Sequence, residues 1–595
     1  MQLPTIDLIV FFGYILAMMG FGVWIANREK TESAQDYFLA SKALPWWAVG
    51  GSLIASNIST EQIMGMNGSG FEIGLAIASY ELMAAITLIL VAKYFLPVFL
   101  KKGIYTMPQF LEMRYNRTVR TIMSVFWVAL FVLINITSVL YLGGLAIKNL
   151  MGIPLFIGIL GLVIYSASFS IFGGLKAVVW TDVVQVVVLI FGGFLASYFV
   201  VSAVGDGSFF HGLDVLYEKT PERFNMIFST SDTYTERLSG NTLSSYNLLP
   251  GIGVLLGGMW IANIYYWGNN QYIIQRALAS KNLGEAQRGV AFAAFLKILM
   301  PIIVIVPGIA AFVLNADIHK ADEAFPWVLN NYVGIGFKGL TFAALVAAIE
   351  SSISSMVNSA STIFTLDIYK ELINPEASEK TQVRVGQLSA AGALLIGALL
   401  GPLLGNLGQV IQFIQEYTGF ISPGVVAIFL FGMFWKRTTA KAAVIVVILA
   451  IPLSTAFKLL LPQIPFIDRM AITFLICSFV LVILSIIEGK QIKAADGQEH
   501  TGMNFRLGLI AVLAGIAGVT GVKLIVEPFA AGSVGWGAFT LALTLVLCVR
   551  LLNGKGVPDA KAIELDKAMF RTDRVFSVMT LVICLILAAI YAALW

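Results

Sequence analysis

Long apolar runs separated by short polar punctuation make up nearly the whole chain. A run of about 18 or more such residues can cross roughly 30 Å of hydrocarbon as a helix. Predicted spans fall near 7–26, 46–67, 73–99, 119–147, 154–171, 177–203, 247–272, 284–316, 336–368, 385–401, 404–434, 440–460, 470–488, 505–525, 533–549 and 575–594, about sixteen in all. Helix is expected throughout, because lipid offers no partner to an unpaired backbone group. Two polar segments, 205–246 and 491–504, are long enough to fold over the surface, and 106–115, with Pro108 near its start, reads as a short interfacial helix.

Two of the apolar spans are interrupted in a related way. One contains Ser56, Asn57, Ser59, Thr60, Glu61 and Gln62, followed by Gly65, Gly68 and Gly70. The other contains Pro250, Gly251, Gly253, Gly257 and Gly258, then Asn263, Tyr265, Tyr266, Trp267, Gly268, Asn269, Asn270 and Gln271. Each opens a group of about five spans, so the second group enters the membrane from the opposite side, the pattern of an inverted repeat with its binding site at the paired broken helices. Close packing of small residues is the plainer reading of either span alone. The organisation expected is 1–45 as an amino-terminal helix and loop, 46–203 as the first repeat, 204–246 as an outer loop, 247–435 as the second repeat, and 436–595 as additional helices.

Composition agrees with a membrane solvent: 58% of the 595 residues are hydrophobic and 12% charged, with a mean hydropathy of +0.86. The first span lacks a preceding basic residue and a cleavage pattern, so it reads as a retained helix. Cys477, Cys548 and Cys584 lie in apolar spans and read as small buried hydrophobes. His211, His319 and His500 are scattered through polar loops, which leaves little material for a histidine-ligated metal centre. The net charge of +4 matters mainly through its placement. With the amino terminus outside, Arg28, Lys30, Lys42, Lys101, Lys102, Arg114, Arg117, Arg120, Arg276, Lys281, Arg288, Lys436, Arg437, Lys441 and the basic tract 550–574 collect in cytoplasmic loops, and both termini are then external.

Ionisable groups inside hydrocarbon are costly and ask for a partner or a purpose. Glu81, Asp182, Lys297 and Glu350 are the four that stand out. Glu81 and Lys297 read either as a buried ion pair or, with Gln62, Asn263 and Gln415, as the lining of a central cavity. Carboxylate, amide and ammonium groups beside the flat faces of Tyr80, Tyr266 and Trp267 suit a sugar, whose hydroxyls both donate and accept and whose ring has an apolar face. In the run from Ser351 to Ser355, Ser351, Ser354 and Ser355 share a helix face, and Ser352 can join Ser355. Such neutral oxygens, with carbonyls freed at a broken helix near Ala55 and Ile58, form a ligand set for sodium. Serines bonding back to their own turn are the alternative.

The segments Asp36-Tyr37-Phe38-Leu39-Ala40, Leu44-Pro45-Trp46-Trp47-Ala48-Val49-Gly50, the stretch from Gly173 to Asp182 and the stretch from Asn358 to Thr365 resemble the sodium:solute symporter family. Around Tyr265-Tyr266-Trp267-Gly268 and Gln415-Glu416-Tyr417-Thr418-Gly419 the sequence is similar to the sodium/glucose and sodium/galactose branch. The resemblance runs from about residue 5 to 490 and returns for the last helix. It implies an all-α, leucine-transporter-type inverted-repeat (5+5) fold, with one extra amino-terminal helix and about five carboxyl-terminal ones. It also implies sugar contacts at Gln62, Glu81, Asn263, Lys297 and Gln415, with Asn57 and Trp267 alongside and Tyr266 as platform and gate. Outer gates fall on Met66, Tyr80 and Ile411, and sodium ligands on Ala55, Ile58, Ala348, Ser351 and Ser352. A second sodium is implied at Asp182, Ser354 and Ser355.

Four departures accompany the resemblance. Ala84 stands where a galactose-type member has a sugar-contacting serine, and Ile411 where an outer gate is aromatic. Glu350 stands where an apolar residue is usual, and about 50 extra residues near 500–553 add two helices. The function expected is import of a hexose, galactose or glucose, coupled to sodium by alternating access, in a bacterial inner membrane. The chain is not expected to be an enzyme. Its expected partners are a sugar, sodium and the bilayer, without nucleic acid, and one chain is expected to suffice for transport. Symport of another polyol such as inositol, a proton-driven carrier and a membrane enzyme or sensor are the competing readings.

Overall fold

The structure, a computed structural model, describes residues 3–28, 33–406, 418–462, 464–495 and 559–595. The predicted spans 505–525 and 533–549, together with Gln415, Ile411, His500 and Cys548, lie outside the described residues. Within them the regular secondary structure is helical apart from a small hairpin, Thr233–Thr235 against Thr242–Ser244, in the 205–246 segment. Ten helices among the described residues are long and apolar enough to cross a membrane.

Burial sorts these helices. Thr5–Arg28 exposes Ile6, Ile9, Phe12 and Leu16, as expected of a lipid-facing helix, yet its Asp7 is fully buried. Asp7 Oδ1 accepts from the amides of Gly336 (2.9 Å) and Gly339 (2.7 Å), satisfying donors at the start of Phe337–Ile363 that have no partner in their own helix. That helix is the centre of the molecule: from Thr341 to Ile363 every residue is buried. It packs on Leu155–Val204, Thr5–Arg28 and Glu379–Leu400.

Both interrupted spans are broken helices. Trp46–Asn57 ends as Ile58 turns extended (φ −76°, ψ 104°), and helix resumes at Glu61–Met66 and Asn67–Ile73. Gly258–Ile264 and Tyr265–Asn269 end at Asn270 (φ −87°, ψ 125°), and Gln271–Leu278 follows. The predicted spans 154–171 and 177–203 meet at Gly174, whose φ of 55° is left-handed. A Cβ there would stand 2.4 Å from the Tyr37 carbonyl oxygen, so only glycine fits this corner.

Two expectations are corrected. The 106–115 segment does form a helix, Met107–Arg114, but it is wedged into the protein rather than laid on its surface: Phe110 stacks on Phe429 and Arg114 Nε donates to the Gly432 carbonyl at 2.7 Å. Arg114, Arg120 and Arg276, counted among loop charges, are buried. Arg120 is paired with Asp367 at 2.7 Å and Arg114 with Asp559 at 3.4 Å. Protein groups neutralise these charges, so they bear little on topology.

Outside the spans, the 205–246 segment clamps the second half of the first broken helix. Arg223 Nη1 donates to the Phe71 carbonyl at 2.6 Å while its guanidinium sits 3.4 Å from the Phe312 ring centroid. Burial pulls that guanidinium down to about 10.

Candidate functional site

The breaks create the site, because a helix end leaves carbonyls and amides without partners and lets side chains of neighbouring helices converge on them. Glu81, on Ser79–Leu90, and Lys297, on Leu283–Met300, are 2% and 1% exposed and form an ion pair. Gln62 joins them from the first broken helix, its Nε2 donating to Glu81 Oε1 at 3.1 Å and to Asn57 Oδ1 at 3.3 Å. Asn57 Nδ2 in turn donates to the Tyr266 hydroxyl at 2.9 Å, which also accepts from Tyr272 at 2.6 Å. The Lys297 ammonium lies 5.3 Å from the Trp267 ring centroid, and Trp267 packs edge-on to Tyr266.

Five predicted residues, Asn57, Gln62, Glu81, Lys297 and Tyr266, therefore share one hydrogen-bonded chain, with Trp267 as its wall. Gln62 Oε1 has no partner among the described residues, which leaves an acceptor for a hydroxyl donor. Asn263 is buried nearby on the second broken helix, but its Nδ2 donates back to the Met259 carbonyl at 3.0 Å. Met66 is half-buried against the main core, and Tyr80 packs in a separate cluster with Met83, Val254 and Met259. Ala84, where the resemblance implies a serine, is buried.

A second polar cluster lies between the first broken helix, Leu155–Val204 and Phe337–Ile363. Ser352 Oγ donates to the Ser56 carbonyl at 3.1 Å, which brings the central helix against the frayed end that carries the Ala55 and Ile58 carbonyls. Ser351 Oγ donates to Asp182 Oδ1 at 2.5 Å. Both hydroxyls spend their protons on acceptors, and their remaining lone pairs are then available to a cation. Ala348 lies one turn earlier on the same helix.

Asp182 is fully buried. Its Oδ2 accepts from Ser52 at 2.5 Å and Ser56 at 3.3 Å, and Arg276 stands 3.6 Å away. Arg276 also donates to Ser52 Oγ at 3.1 Å and to Ser355 Oγ, and Ser355 meets Ser56 Oγ at 2.8 Å. Of the three residues predicted for a second sodium, Asp182 and Ser355 share this network. Ser354 bonds back to the Ser351 carbonyl at 3.1 Å.

Sequence reading missed Ser52, Tyr272 and the role of Arg276, and named Ser56 only as part of a broken span. Ser52 and Ser56 are four apart in an apolar helix, a spacing that puts both hydroxyls on one face. Arg276 was assigned to a loop because the helix break at Asn270 hid the short helix that follows it.

Paired broken helices, a carboxylate–amide–ammonium cluster beside aromatic rings, and a separate hydroxyl-rich cluster at a frayed helix end define a membrane carrier that binds a polar solute and a cation. The chain belongs to the sodium:solute symporter family, whose pattern matches residues 37–450. It is a transport protein rather than an enzyme, and sodium is its coupling ion. It is 50% identical over 542 residues to the sodium/glucose cotransporter of Vibrio parahaemolyticus, covering 86% of this chain and 97% of that one. It is 32% identical to the human sodium/myo-inositol cotransporter 2, covering 73% of this chain and 67% of the other. Among solved structures, a substrate-bound, outward-open Na+-coupled sialic acid symporter aligns with a TM-score of 0.70 at 25% identity, over 81% of this chain and 98% of that one. The fold is of the leucine-transporter type.

Proposed function

We propose that this protein imports a hexose, galactose or glucose, with sodium by alternating access. The observation that carries this is the chain Tyr266–Asn57–Gln62–Glu81–Lys297 against Trp267. It offers donors, acceptors and an apolar ring face within one enclosure, which is what a pyranose presents in return. Asn263 and Gln415 complete the sugar contacts in this reading, and Met66, Tyr80, Tyr266 and Ile411 close over the sugar. The name of the Vibrio relative supports a hexose, and that of the inositol relatives makes a cyclic polyol the alternative.

Sodium is held by the Ala55 and Ile58 carbonyls, Ala348, Ser351 and Ser352. It favours the outward-open state by binding it more tightly than the inward one, and sugar then follows. The membrane potential adds about 2.3 kcal/mol per charge per 100 mV. The full architecture in this reading is about sixteen spans with 46–203 and 247–435 as inverted repeats of five, in a bacterial inner membrane with both termini outside. A single chain suffices for transport. A second sodium at Asp182, Ser354 and Ser355 would have to share its locus with Arg276, whose charge already serves Asp182 and Ser355.

Uptake of labelled hexoses into proteoliposomes tests the function. Galactose or glucose uptake is expected only with an inward sodium gradient. Ser352→Ala is expected to raise the sodium concentration for half-maximal uptake about tenfold, the loss of roughly 1.4 kcal/mol. Sodium-independent uptake, or transport of inositol alone, would overturn it.

A further inference from the structure

Glu350 is a buried carboxylate that neither cluster uses. It sits at the middle of Phe337–Ile363, is 0% exposed, and has no Lys, Arg or His within salt-bridge distance among the described residues. Its Oε2 accepts from Gln185 Nε2, a neutral amide that is 1% exposed and whose nitrogen also lies 3.3 Å from the Tyr165 hydroxyl. A negative charge at this depth, with only the Gln185 amide and the Ser354 hydroxyl beside it, is costly unless the carboxyl takes up a proton or holds a cation.

The surroundings offer oxygens and little else. Glu350 Oε1, Gln185 Oε1 and the Tyr14 hydroxyl are each buried without a hydrogen-bond partner among the described residues. They come from three packed helices, Phe337–Ile363, Leu155–Val204 and Thr5–Arg28, and Tyr14 and Tyr165 both lie within electrostatic reach of Glu350. An orphaned carboxylate oxygen together with the orphaned Gln185 and Tyr14 oxygens makes a hard-cation donor set. It contains no sulfur or imidazole, which points away from transition metals.

We propose that Glu350, Gln185 and Tyr14 bind a sodium ion at a site separate from both the serine cluster and the Asp182–Arg276 network. Glu350 supplies the charge, the Gln185 carbonyl and Tyr14 hydroxyl supply neutral ligands, and Tyr165 holds the Gln185 amide in register. Asp182 and Gln185 are three residues apart on Leu155–Val204, so they share a face. One face of that helix thereby serves Ser351 through Asp182 and Glu350 through Gln185. The site rests on sodium being the cation carried, and not on the assignment of Ser351 and Ser352.

Equilibrium binding of radiolabelled sodium to the purified full-length protein tests it. Wild type is expected to bind one more sodium ion per chain than Glu350→Gln at saturation. Tyr14→Phe is expected to weaken that ion's binding about tenfold while leaving the other sodium unchanged. If Glu350→Gln does not fold, Gln185→Leu takes its place with the same expected loss. Equal sodium stoichiometry in wild type and Glu350→Gln, or affinities unmoved in both Tyr14→Phe and Gln185→Leu, would sink the idea. Ser352→Ala separates the two readings: loss of the other ion there, with the Glu350-dependent ion retained, supports both sites. Unaltered binding in Ser352→Ala, with loss in Glu350→Gln, removes only the serine site.

Discussion

Glu81 and Glu350 are both buried carboxylates on membrane helices, and they are treated in opposite ways. Glu81 has Lys297 as countercharge and Gln62 as a further donor, whereas Glu350 has the Gln185 amide and the Ser354 hydroxyl and no countercharge among the described residues. Asp182 is intermediate, with three serine hydroxyls close by and a guanidinium at a longer 3.6 Å. The difference separates two jobs. A pair that neutralises itself can present hydrogen bonds to an uncharged solute without attracting ions, while a carboxyl without a protein countercharge must take up a proton or a cation.

The comparison breaks most sharply at Lys297. Lys297→Ala leaves Glu81 buried and unpaired, and is expected to cost about 3–5 kcal/mol of stability and to abolish uptake. A thermal-unfolding curve on purified protein checks the first and proteoliposome uptake the second. The double change Glu81→Gln with Lys297→Gln should recover most of the stability without recovering transport, since it restores neutrality but not the donors and acceptors that the proposed sugar site requires.

Arg276→Ala comes next. The hydroxyls of Ser52, Ser56 and Ser351 continue to solvate Asp182, so the expected loss is smaller, about 2–3 kcal/mol, read in the same unfolding assay. A loss as large as that for Lys297→Ala would mean that the serines do not compensate the carboxylate. The smallest effect is expected for Glu350→Gln in sodium-free buffer, under about 1 kcal/mol, because no protein cation is orphaned. In sodium, wild type should gain stability that this variant lacks, by linkage to the bound ion. A large destabilisation in sodium-free buffer would show instead that Glu350 has a protein partner of its own.

Much of this site was legible in the sequence because membrane helices make polar residues conspicuous. Gln62, Glu81 and Lys297 stand out against apolar neighbours, and the broken helices were signalled by glycines and amides where a span should be uniform. The choice between an ion pair and a cavity lining for Glu81 and Lys297 was not legible; the structure forms the pair, and Gln62 ties it to Asn57 and Tyr266. Arg276 was misplaced for a physical reason. Counting charges assumes that a basic residue near a span end lies in water, and here a second half-helix carries it back into the protein.

By itself the sequence determined that the chain lives in lipid, where most of its spans lie, and which residue types would meet a solute and an ion, because hydrocarbon penalises every polar group that lacks a reason to be there. Only the tertiary structure decided which of those groups neutralise one another. Pairing depends on helices far apart in sequence meeting at one depth, as Glu81 meets Lys297 and Asp182 meets Arg276, and as Glu350 meets no protein cation among the described residues.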